Sequence, residues 1–414
     1  MRDSLPSLKT RRRFPRLLIV TEFGPDAHGG GGSLMRQLLR GYPNEQISWW
    51  SCRPEPLGQP QGLSVKHFQY PAPARLYPYR RLAKLKSVIL ELIWVGRAAA
   101  NLRKSIAIAQ PERLWFNLHT WAIPIIQRAS LAGNFPCHAS LWDYPDLETR
   151  QQLFGRRRVA QWGRAVETII KESTSCDVIS SPMREDIAQR TGRRDAMIVH
   201  SGFESSDLEA LGAAENRDSD AIRIAYAGSI MAPRAMERVI DAFQTARRRI
   251  SVPAQLDFFG GGFFRAYKWF DPTCMREHPH LAEEEFHSEL RRCTWGLVVM
   301  DLSDDTQRYN RFSFPNKFGT FVAAGLPVIV VGHKESSVAR LVTEYPVGVC
   351  TSSNTLPELT NFLEAALRNV NPRSHFRDQL FRCAAAEFNM PAMRQRLWSA
   401  LGVKEVNDPA GEQV

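Results

Sequence analysis

Long apolar runs are missing from this sequence. In 414 residues no stretch of about 18 apolar residues occurs, which is the length that a membrane-spanning helix requires. The N-terminus is basic and has no apolar core of the kind that a signal peptide carries. Both absences predict a cytoplasmic protein.

Paired cysteines are missing as well. The chain has seven cysteines, none of them in a Cys-x-x-Cys pair, at positions 52, 137, 176, 274, 293, 350 and 383. Scattered cysteines in an odd number fit a reducing compartment and argue against a zinc site. We therefore expect no bound metal ion and no cofactor.

The first glycine-rich segment lacks the Gly-x-Gly-x-x-Gly order of a dinucleotide-binding loop. An apolar strand over 16–23 precedes four consecutive glycines, namely Gly29, Gly30, Gly31 and Gly32. A helix is expected to follow, with Ser33 as its N-cap. Strand, glycine loop and helix in this order are typical of the first unit of a nucleotide-binding α/β domain. The alternative is a plain flexible turn.

The length and charge of the chain limit its organisation and its partners. A chain of 414 residues exceeds the size of one usual core, so two domains are expected. A net charge of +11 indicates an anionic partner, which can be a nucleotide, a phospholipid surface or a nucleic acid. Residues 204–220 are acidic and poor in apolar side chains, which is typical of an interdomain linker.

The stretch FSFPNKFGTFVAAGLPVIV, residues 312–330, combines a short helix with a buried strand. Pro315 suits the first turn of a helix, and the apolar residues after it recur with helical spacing. Lys317 would lie at the helix N-terminus, where free N–H groups and the helix dipole favour an anion. The alternative is a core helix with a solvated lysine.

This stretch resembles the donor-binding segment of GT-B nucleotide-sugar glycosyltransferases, in particular family four. The matching elements are Pro-x-Lys, the short helix and Ala-Ala-Gly-x-Pro-Val-Ile. That family carries a glutamate on this helix and often a second one eight residues earlier. Here Thr320 and Phe312 occupy those positions, so the paired-glutamate motif is absent.

The resemblance implies an α/β fold of two Rossmann-like domains that face a central cleft. It divides the chain into an N-terminal arm (1–15), a first domain (16–203), the linker (204–220), a second domain (221–385), a helix that crosses back to the first domain (386–404) and a tail (405–414). It further implies a metal-independent glycosyltransferase that acts in polysaccharide or glycoconjugate biosynthesis. The partners would be a nucleotide-sugar and a glycan, lipid-linked or small-molecule acceptor, with no specific nucleic acid.

The donor site that the resemblance implies belongs to the second domain. Gly228 ends the strand of IRIAYAGSI, Ser229 stands where the family has an arginine, and Arg234 keeps a cation at the family's lysine position. The full expected set is Gly228, Ser229, Arg234, Gly261, Pro315, Lys317 and Thr320. For Arg234 the alternative is an exposed charge at a helix start.

The candidate catalytic residues follow two strands of the first domain. LWFNL leads to His119, and HASLW leads to Asp143. Carboxyl ends of parallel strands line the ligand crevice of a doubly wound sheet, so both side chains are expected there, together with the Gly29–Gly32 loop on the acceptor or phosphate side. Either residue is a candidate to take a proton from an acceptor hydroxyl. The alternatives are a buried core histidine and a turn or helix-cap aspartate.

Residues 80–104 read as one long basic amphipathic helix. Leucines and isoleucines alternate with lysines and arginines, and Trp94 would suit a membrane interface. The helix is therefore a candidate for peripheral contact with an anionic membrane at its cytoplasmic face. The alternative is that its apolar side packs on its own domain. Residues 301–311 are expected to form a polar loop.

Three other functions remain open on the sequence. A GT-B-type sugar-nucleotide epimerase would share the donor site. A catalytically degenerate GT-B protein that binds a partner or a membrane fits the missing glutamates. A Rossmann oxidoreductase would bind a nicotinamide cofactor, although the first glycine segment lacks its fingerprint.

Overall fold

Short apolar runs bounded by glycine and polar residues form parallel strands in both halves of the chain, since a strand covered on both faces has no polar side. The computed structural model describes residues 10–27, 30–53, 63–77, 82–145, 148–207, 221–260, 262–303, 307–369 and 371–407. The chain divides into two units. Unit 1 comprises the residues up to 178, 184–199 and those from 392 onward, and unit 2 comprises 179–183 and 200–391.

Unit 1 is built on a parallel sheet. After β1 (Thr10–Arg13), its strands are β2 (Leu17–Thr21), β3 (Ile47–Ser51), β4 (Lys66–Gln69), β5 (Arg113–Asn117), β6 (Cys137–Leu141), β7 (Ser175–Val178) and β8 (Met197–Ile198). Over the described residues the strand order is β4-β3-β2-β5-β6-β7-β8. All residues of β2 and β6 are buried, including the polar Thr21, His138 and Ser140.

Helices connect these strands. They are α1 (Gly30–Leu39), α2 (Ala83–Ile93), α3 (Val95–Ala109), α4 (Ala122–Ala129), α5 (Glu148–Phe154), α6 (Arg156–Glu172) and α7 (Ser181–Thr191). The sequence prediction of a glycine loop capped by Ser33 is wrong, because α1 already begins at Gly30. A Cβ on Gly32 would lie 2.3 Å from the Ala27 carbonyl oxygen, so glycine is required there for close approach of the backbone. Gly29 lies outside the described residues.

The predicted single helix over 80–104 is two helices. The single residue Trp94 separates α2 from α3, and residues 78–81 are outside the described part. Trp94 is buried and packs edge-on against Trp121 at 5.9 Å, so the prediction that it meets a membrane interface is wrong. The aromatic contact within unit 1 explains the burial.

Unit 2 has a second parallel sheet. Its strands are β9 (Ile222–Ala227), β10 (Ala254–Phe259), β11 (Met275–Glu277), β12 (Trp295–Val299), β13 (Val328–Val331) and β14 (Gly348–Thr351), in the order β11-β10-β9-β12-β13-β14. Its helices are α8 (Pro233–Arg247), α9 (Glu283–Arg291), α10 (Gln307–Phe312), α11 (Asn316–Ala323), α12 (Ser337–Glu344), α13 (Leu356–Arg368) and α14 (Pro372–Glu387). Helix α10 occupies part of the segment that was expected to be a polar loop, so that prediction is wrong.

The end of the chain returns to unit 1. Helix α15 (Met390–Ala400) is shorter than the predicted helix over 386–404, and β15 (Lys404–Asn407) pairs antiparallel with β1. Residues 10–13 therefore form a strand where a loose arm was expected, because backbone pairing replaces the missing apolar contacts. Of the predicted linker, 208–220 lies outside the described residues. Among the described helices, none is both long and apolar enough to cross a membrane.

Candidate functional site

Lys317 forms a cationic site at the carboxyl end of the unit 2 sheet. Pro315 is the N-cap of α11, so Lys317 lies in the first turn of that helix. Its Nζ lies 3.8 Å from the centre of the Tyr226 ring and 3.5 Å from the carbonyl oxygen of Ser229. Burial lowers the pKa of Lys317 to about 8. Over the described residues this ammonium has no carboxylate partner, and such a half-buried cation is suited to binding an anionic ligand.

Two glycines allow the backbones at the ends of β9 and β10 to approach each other closely beside Lys317. Gly228 follows β9 with φ +79° and Gly260 follows β10 with φ +115°, both in the region that favours glycine. A Cβ on Gly260 would lie 3.1 Å from the Gly228 backbone nitrogen, whereas a Cβ on Gly228 would meet open space. The strand ends therefore leave room for a ligand next to Gly228.

The other predicted donor residues contribute differently from one another. Ser229 offers its carbonyl oxygen, which also accepts a hydrogen bond of 2.9 Å from the Tyr226 hydroxyl. Arg234 is exposed in the first turn of α8. The Thr320 hydroxyl donates to the Asn316 carbonyl oxygen at 3.3 Å. Gly261 lies outside the described residues.

A buried carboxylate organises the corresponding end of the unit 1 sheet. Glu22 follows β2, and only 6% of its side chain is exposed. Its Oε2 lies 2.5 Å from His119 Nδ1 and accepts a hydrogen bond from the Thr120 hydroxyl, while its Oε1 accepts one from the Tyr77 hydroxyl. His119 therefore does not fit the alternative of an isolated core histidine, since 35% of its side chain is exposed.

Hydrogen bonding keeps Glu22 ionised. Burial alone would raise its pKa, but the electrostatic interaction with His119 and the hydrogen bonds from His119, Thr120 and Tyr77 lower the pKa of Glu22 to about 2. Thr120 has φ +31°, a backbone conformation that β-branched residues rarely adopt. Strain of this kind is found where the surrounding structure fixes a functional geometry.

Arg150 links His119 to Asp143. The same guanidinium nitrogen, Nη2, lies 2.9 Å from His119 Nε2 and 3.6 Å from Asp143 Oδ2. Both predicted catalytic residues therefore lie in one site. Gly31, in the first turn of α1, is beside the Trp142 ring, since a Cβ there would lie 3.8 Å from it. This places the glycine segment next to the same strand end.

Sequence reasoning missed Glu22, Tyr77 and Arg150. The sequence could have identified Glu22 as a candidate site residue, because it directly follows an apolar strand just as His119 and Asp143 follow theirs. No sequence pattern could have identified Tyr77 or Arg150. Tyr77 lies in a loop and Arg150 in a short helix, and neither belongs to a periodic pattern.

Comparison with solved structures defines the architecture. HepE from Anabaena, solved in complex with UDP-glucose, is 13% identical, covers 93% of this chain and 99% of its own, and has a TM-score of 0.61. Sucrose-phosphate synthase from Thermosynechococcus elongatus is 11% identical, with coverages of 93% and 98% and a TM-score of 0.63. The α,α-trehalose 6-phosphate synthase from Burkholderia multivorans is 12% identical, with coverages of 94% and 98% and a TM-score of 0.61.

The chain has the GT-B fold. Two Rossmann-like units with parallel sheets match these neighbours over almost their full length, which confirms the fold predicted from the sequence. Residues 224–369, within unit 2, match the model of the glucosyltransferase 3-like C-terminal domain. No curated protein matches the sequence. In this GT-B chain the matched segment contains both Gly228 and Lys317.

Proposed function

We propose that the protein is a glycosyltransferase that moves a sugar from a nucleotide-sugar donor to an acceptor hydroxyl without a metal ion. The observation that carries the proposal is the Lys317 ammonium in the first turn of α11, half-buried and without a carboxylate partner among the described residues. The GT-B fold and the match of 224–369 to a glucosyltransferase 3-like model support it.

In unit 2, the donor diphosphate would bind at Lys317 and at the N-terminus of α11. Negative charge develops on the diphosphate as the sugar leaves, and a fixed ammonium in a partly dry site stabilises it. Arg234, which is exposed, would add a second cation that can contact phosphate in a bidentate manner. The open space at Gly228 would admit the phosphates close to the backbone.

In unit 1, the acceptor hydroxyl would bind beside His119 and Asp143. His119 is partly exposed, and its other ring nitrogen is held by a carboxylate, which is the arrangement that general-base catalysis requires. The acceptor is a glycan, a lipid-linked sugar or a small molecule in this proposal.

Equilibrium binding tests the donor site. We expect one of UDP, GDP, ADP or CMP to bind the wild type with micromolar affinity, and Lys317→Ala to weaken this binding about tenfold, or about 1.4 kcal/mol. Arg248→Ala is the matched control, since it removes an exposed cation at the opposite end of α8. Equal affinities for all three proteins, or binding of NAD alone, would contradict the proposal.

Activity assays with and without an acceptor distinguish the three functions that would share the donor site. A transferase consumes the nucleotide-sugar only when an acceptor is present, whereas an epimerase converts it without one. A degenerate protein would bind the nucleotide and do neither, which is the outcome that Thr320 and Phe312 at the family's glutamate positions would favour. Unchanged transfer in EDTA would support metal independence.

We also propose peripheral contact of unit 1 with an anionic membrane on the cytoplasmic side. Helix α2 leaves an apolar stripe exposed, with Leu85 at 54%, Val88 at 41% and Leu92 at 76%, flanked by the exposed Lys84. Apolar insertion next to a cation favours an anionic bilayer surface. The double substitution Leu85→Gln and Leu92→Gln should abolish flotation with phosphatidylglycerol vesicles, while Phe381→Gln, at an apolar side chain of unit 2 that is 45% exposed, should not. Flotation of all three proteins alike would argue against this surface.

A further inference from the structure

The protonation state of His119 follows from its two neighbours. Glu22 is ionised and can only accept hydrogen bonds, so His119 Nδ1, at 2.5 Å, carries the proton and donates it. Arg150 can only donate, so His119 Nε2, at 2.9 Å from Nη2, is the unprotonated acceptor. The imidazole is therefore neutral, with its one free lone pair directed at a guanidinium.

Arg150 covers the Nε2 lone pair of His119, because that lone pair accepts a hydrogen bond from the guanidinium. A nitrogen that accepts a hydrogen bond from Arg150 has no lone pair left for the proton of an acceptor hydroxyl. A guanidinium at 2.9 Å would also repel the imidazolium that forms when His119 takes a proton. Proton transfer to His119 Nε2 thus requires that Arg150 moves away first.

Asp143 is the group placed to receive Arg150. Its Oδ2 lies 3.6 Å from the same Nη2 that contacts His119, longer than a hydrogen bond but within ion-pair distance. Nη1 of Arg150 is buried and, among the described residues, without a hydrogen-bond partner, so the present arrangement does not satisfy the guanidinium. A small rotation toward Asp143 would form a closer ion pair and uncover His119.

We propose that Glu22 is a positioning residue that fixes the Nδ1–H form of His119, and that Arg150 alternates between His119 and Asp143 to cover and uncover the Nε2 lone pair. The proposal rests on the glycosyltransferase function proposed above. In the transfer step the acceptor oxygen forms a bond to the sugar carbon, and its proton passes to Nε2. The bond from that carbon to the diphosphate oxygen breaks, and its electron pair leaves with the diphosphate. Glu22 balances the charge of the imidazolium.

Chemical modification tests the covering of His119 without any substrate. The lone pair of an unprotonated ring nitrogen attacks a carbonyl carbon of diethyl pyrocarbonate and releases ethyl carbonate, and mass spectrometry follows the ethoxycarbonyl group added at His119 at pH 7. Arg150→Met should accelerate this reaction about tenfold, the effect of removing one charge-assisted hydrogen bond. Asp143→Asn should slow it, since Arg150 then stays on His119. Arg157→Met, an exposed arginine one helix further on, should leave the rate within twofold of wild type. Equal rates for Arg150→Met and Arg157→Met would overturn the proposal.

Nitrogen NMR tests the role of Glu22. In protein labelled with 15N-histidine, His119 should show a protonated Nδ1 and an unprotonated Nε2, identified by the signals that His119→Gln removes. Glu22→Gln should mix the two tautomers, because the amide both donates and accepts. A protonated Nε2 in the wild type would overturn the proposal. Neither experiment uses a nucleotide, so a wild type that fails to bind nucleotides would refute the glycosyltransferase function separately.

Discussion

Lys317 should make binding at the proposed donor site depend on pH. Its ammonium lies over the Tyr226 ring, and burial lowers the pKa of Lys317 to about 8. The charged form would pair with phosphate, and the neutral form would not. Since the folded pKa is lowered, the charge is present below about pH 8 and is lost as the pH rises through that value.

Nucleotide affinity should therefore fall on the alkaline side. We expect the affinity of the preferred nucleoside diphosphate to fall above pH 8 and to level off about tenfold lower, at the affinity expected for Lys317→Ala, because the neutral amine no longer pairs with phosphate. Calorimetric titration between pH 7 and 9.5 measures this decrease. Lys317→Arg keeps its charge over the whole range and should show a flat profile. A flat profile in the wild type would contradict the role of Lys317.

Glu22 should make unit 1 sensitive to acid. Its pKa falls from 4.5 to about 2 on folding, so its stabilising contribution is complete above pH 4.5 and is lost as the pH decreases toward 2. The full loss amounts to about 3 kcal/mol, of which about 2 kcal/mol falls between pH 5 and pH 3. Urea unfolding at pH 5 and pH 3, followed by tryptophan fluorescence, measures it. Glu22→Gln should be less stable at pH 5 and should lose less on acidification. An equal loss in both proteins would show that Glu22 is not responsible.

The two sites differ in how far the sequence reveals them. Lys317 could be predicted as a site residue because the start of its helix and the strand that follows lie in the same short segment of the sequence. The hydrogen bonds that hold Glu22 cannot be read from the sequence, since Tyr77 and Thr120 are 55 and 98 residues away from this carboxylate. Contacts of that separation arise from the strand order β3-β2-β5, which no local pattern encodes.

At the scale of elements, periodicity predicted where helices occur but not where they are interrupted. Apolar spacing continues from α2 into α3, and the backbone hydrogen bonds from Trp94 to Leu90 and from Ala98 to Trp94 continue as well. The interruption is the single residue Trp94, with φ −109°. Trp94 packs on Trp121, a tertiary contact that no local pattern encodes.

Glycine positions in the sheets predict large differences between similar substitutions. A Cβ on Gly348, in β14, would lie 2.0 Å from the carbonyl oxygen of Val328 on the neighbouring strand. Because backbone cannot move aside, Gly348→Ala should destabilise unit 2 by about 3 kcal/mol. Gly163→Ala is the control, since a Cβ in the middle of α6 meets open space and should stabilise the helix by about 0.5–1 kcal/mol. Changes in the free energy of unfolding of the same sign would contradict this reading.

At the scale of the whole chain, the family resemblance, the alternation of strands and helices and the acidic linker together predicted two Rossmann-like units. It did not predict the β1–β15 pair, because Thr10–Arg13 and Lys404–Asn407 are polar and pair through their backbones. Each sheet also contains a buried aspartate bonded to a histidine, with His138 Nε2 at 2.6 Å from Asp177 and His278 Nε2 at 2.9 Å from Asp257. The strand order within each sheet brings these pairs together, so they too lie beyond sequence patterns.

The last segment of the chain should stabilise the first unit selectively. Trp398, in α15, packs edge-on against Phe14 at 5.2 Å and Tyr42 at 5.9 Å, and its indole N–H donates to the Leu38 carbonyl oxygen at 3.0 Å. Trp398→Ala removes this contact and leaves a cavity, so unit 1 should lose about 3–5 kcal/mol.

Hydrogen exchange resolved by mass spectrometry can locate that loss. In Trp398→Ala, exchange should accelerate in β2 and β3 of unit 1 and stay unchanged in β12 and β13 of unit 2, because each sheet has its own core. Phe381→Ala, which shortens an exposed side chain of α14, should leave both sheets at wild-type rates. Equal acceleration in both sheets of Trp398→Ala would mean that the units unfold together, and that the C-terminal helix supports the chain as a whole instead of unit 1 alone.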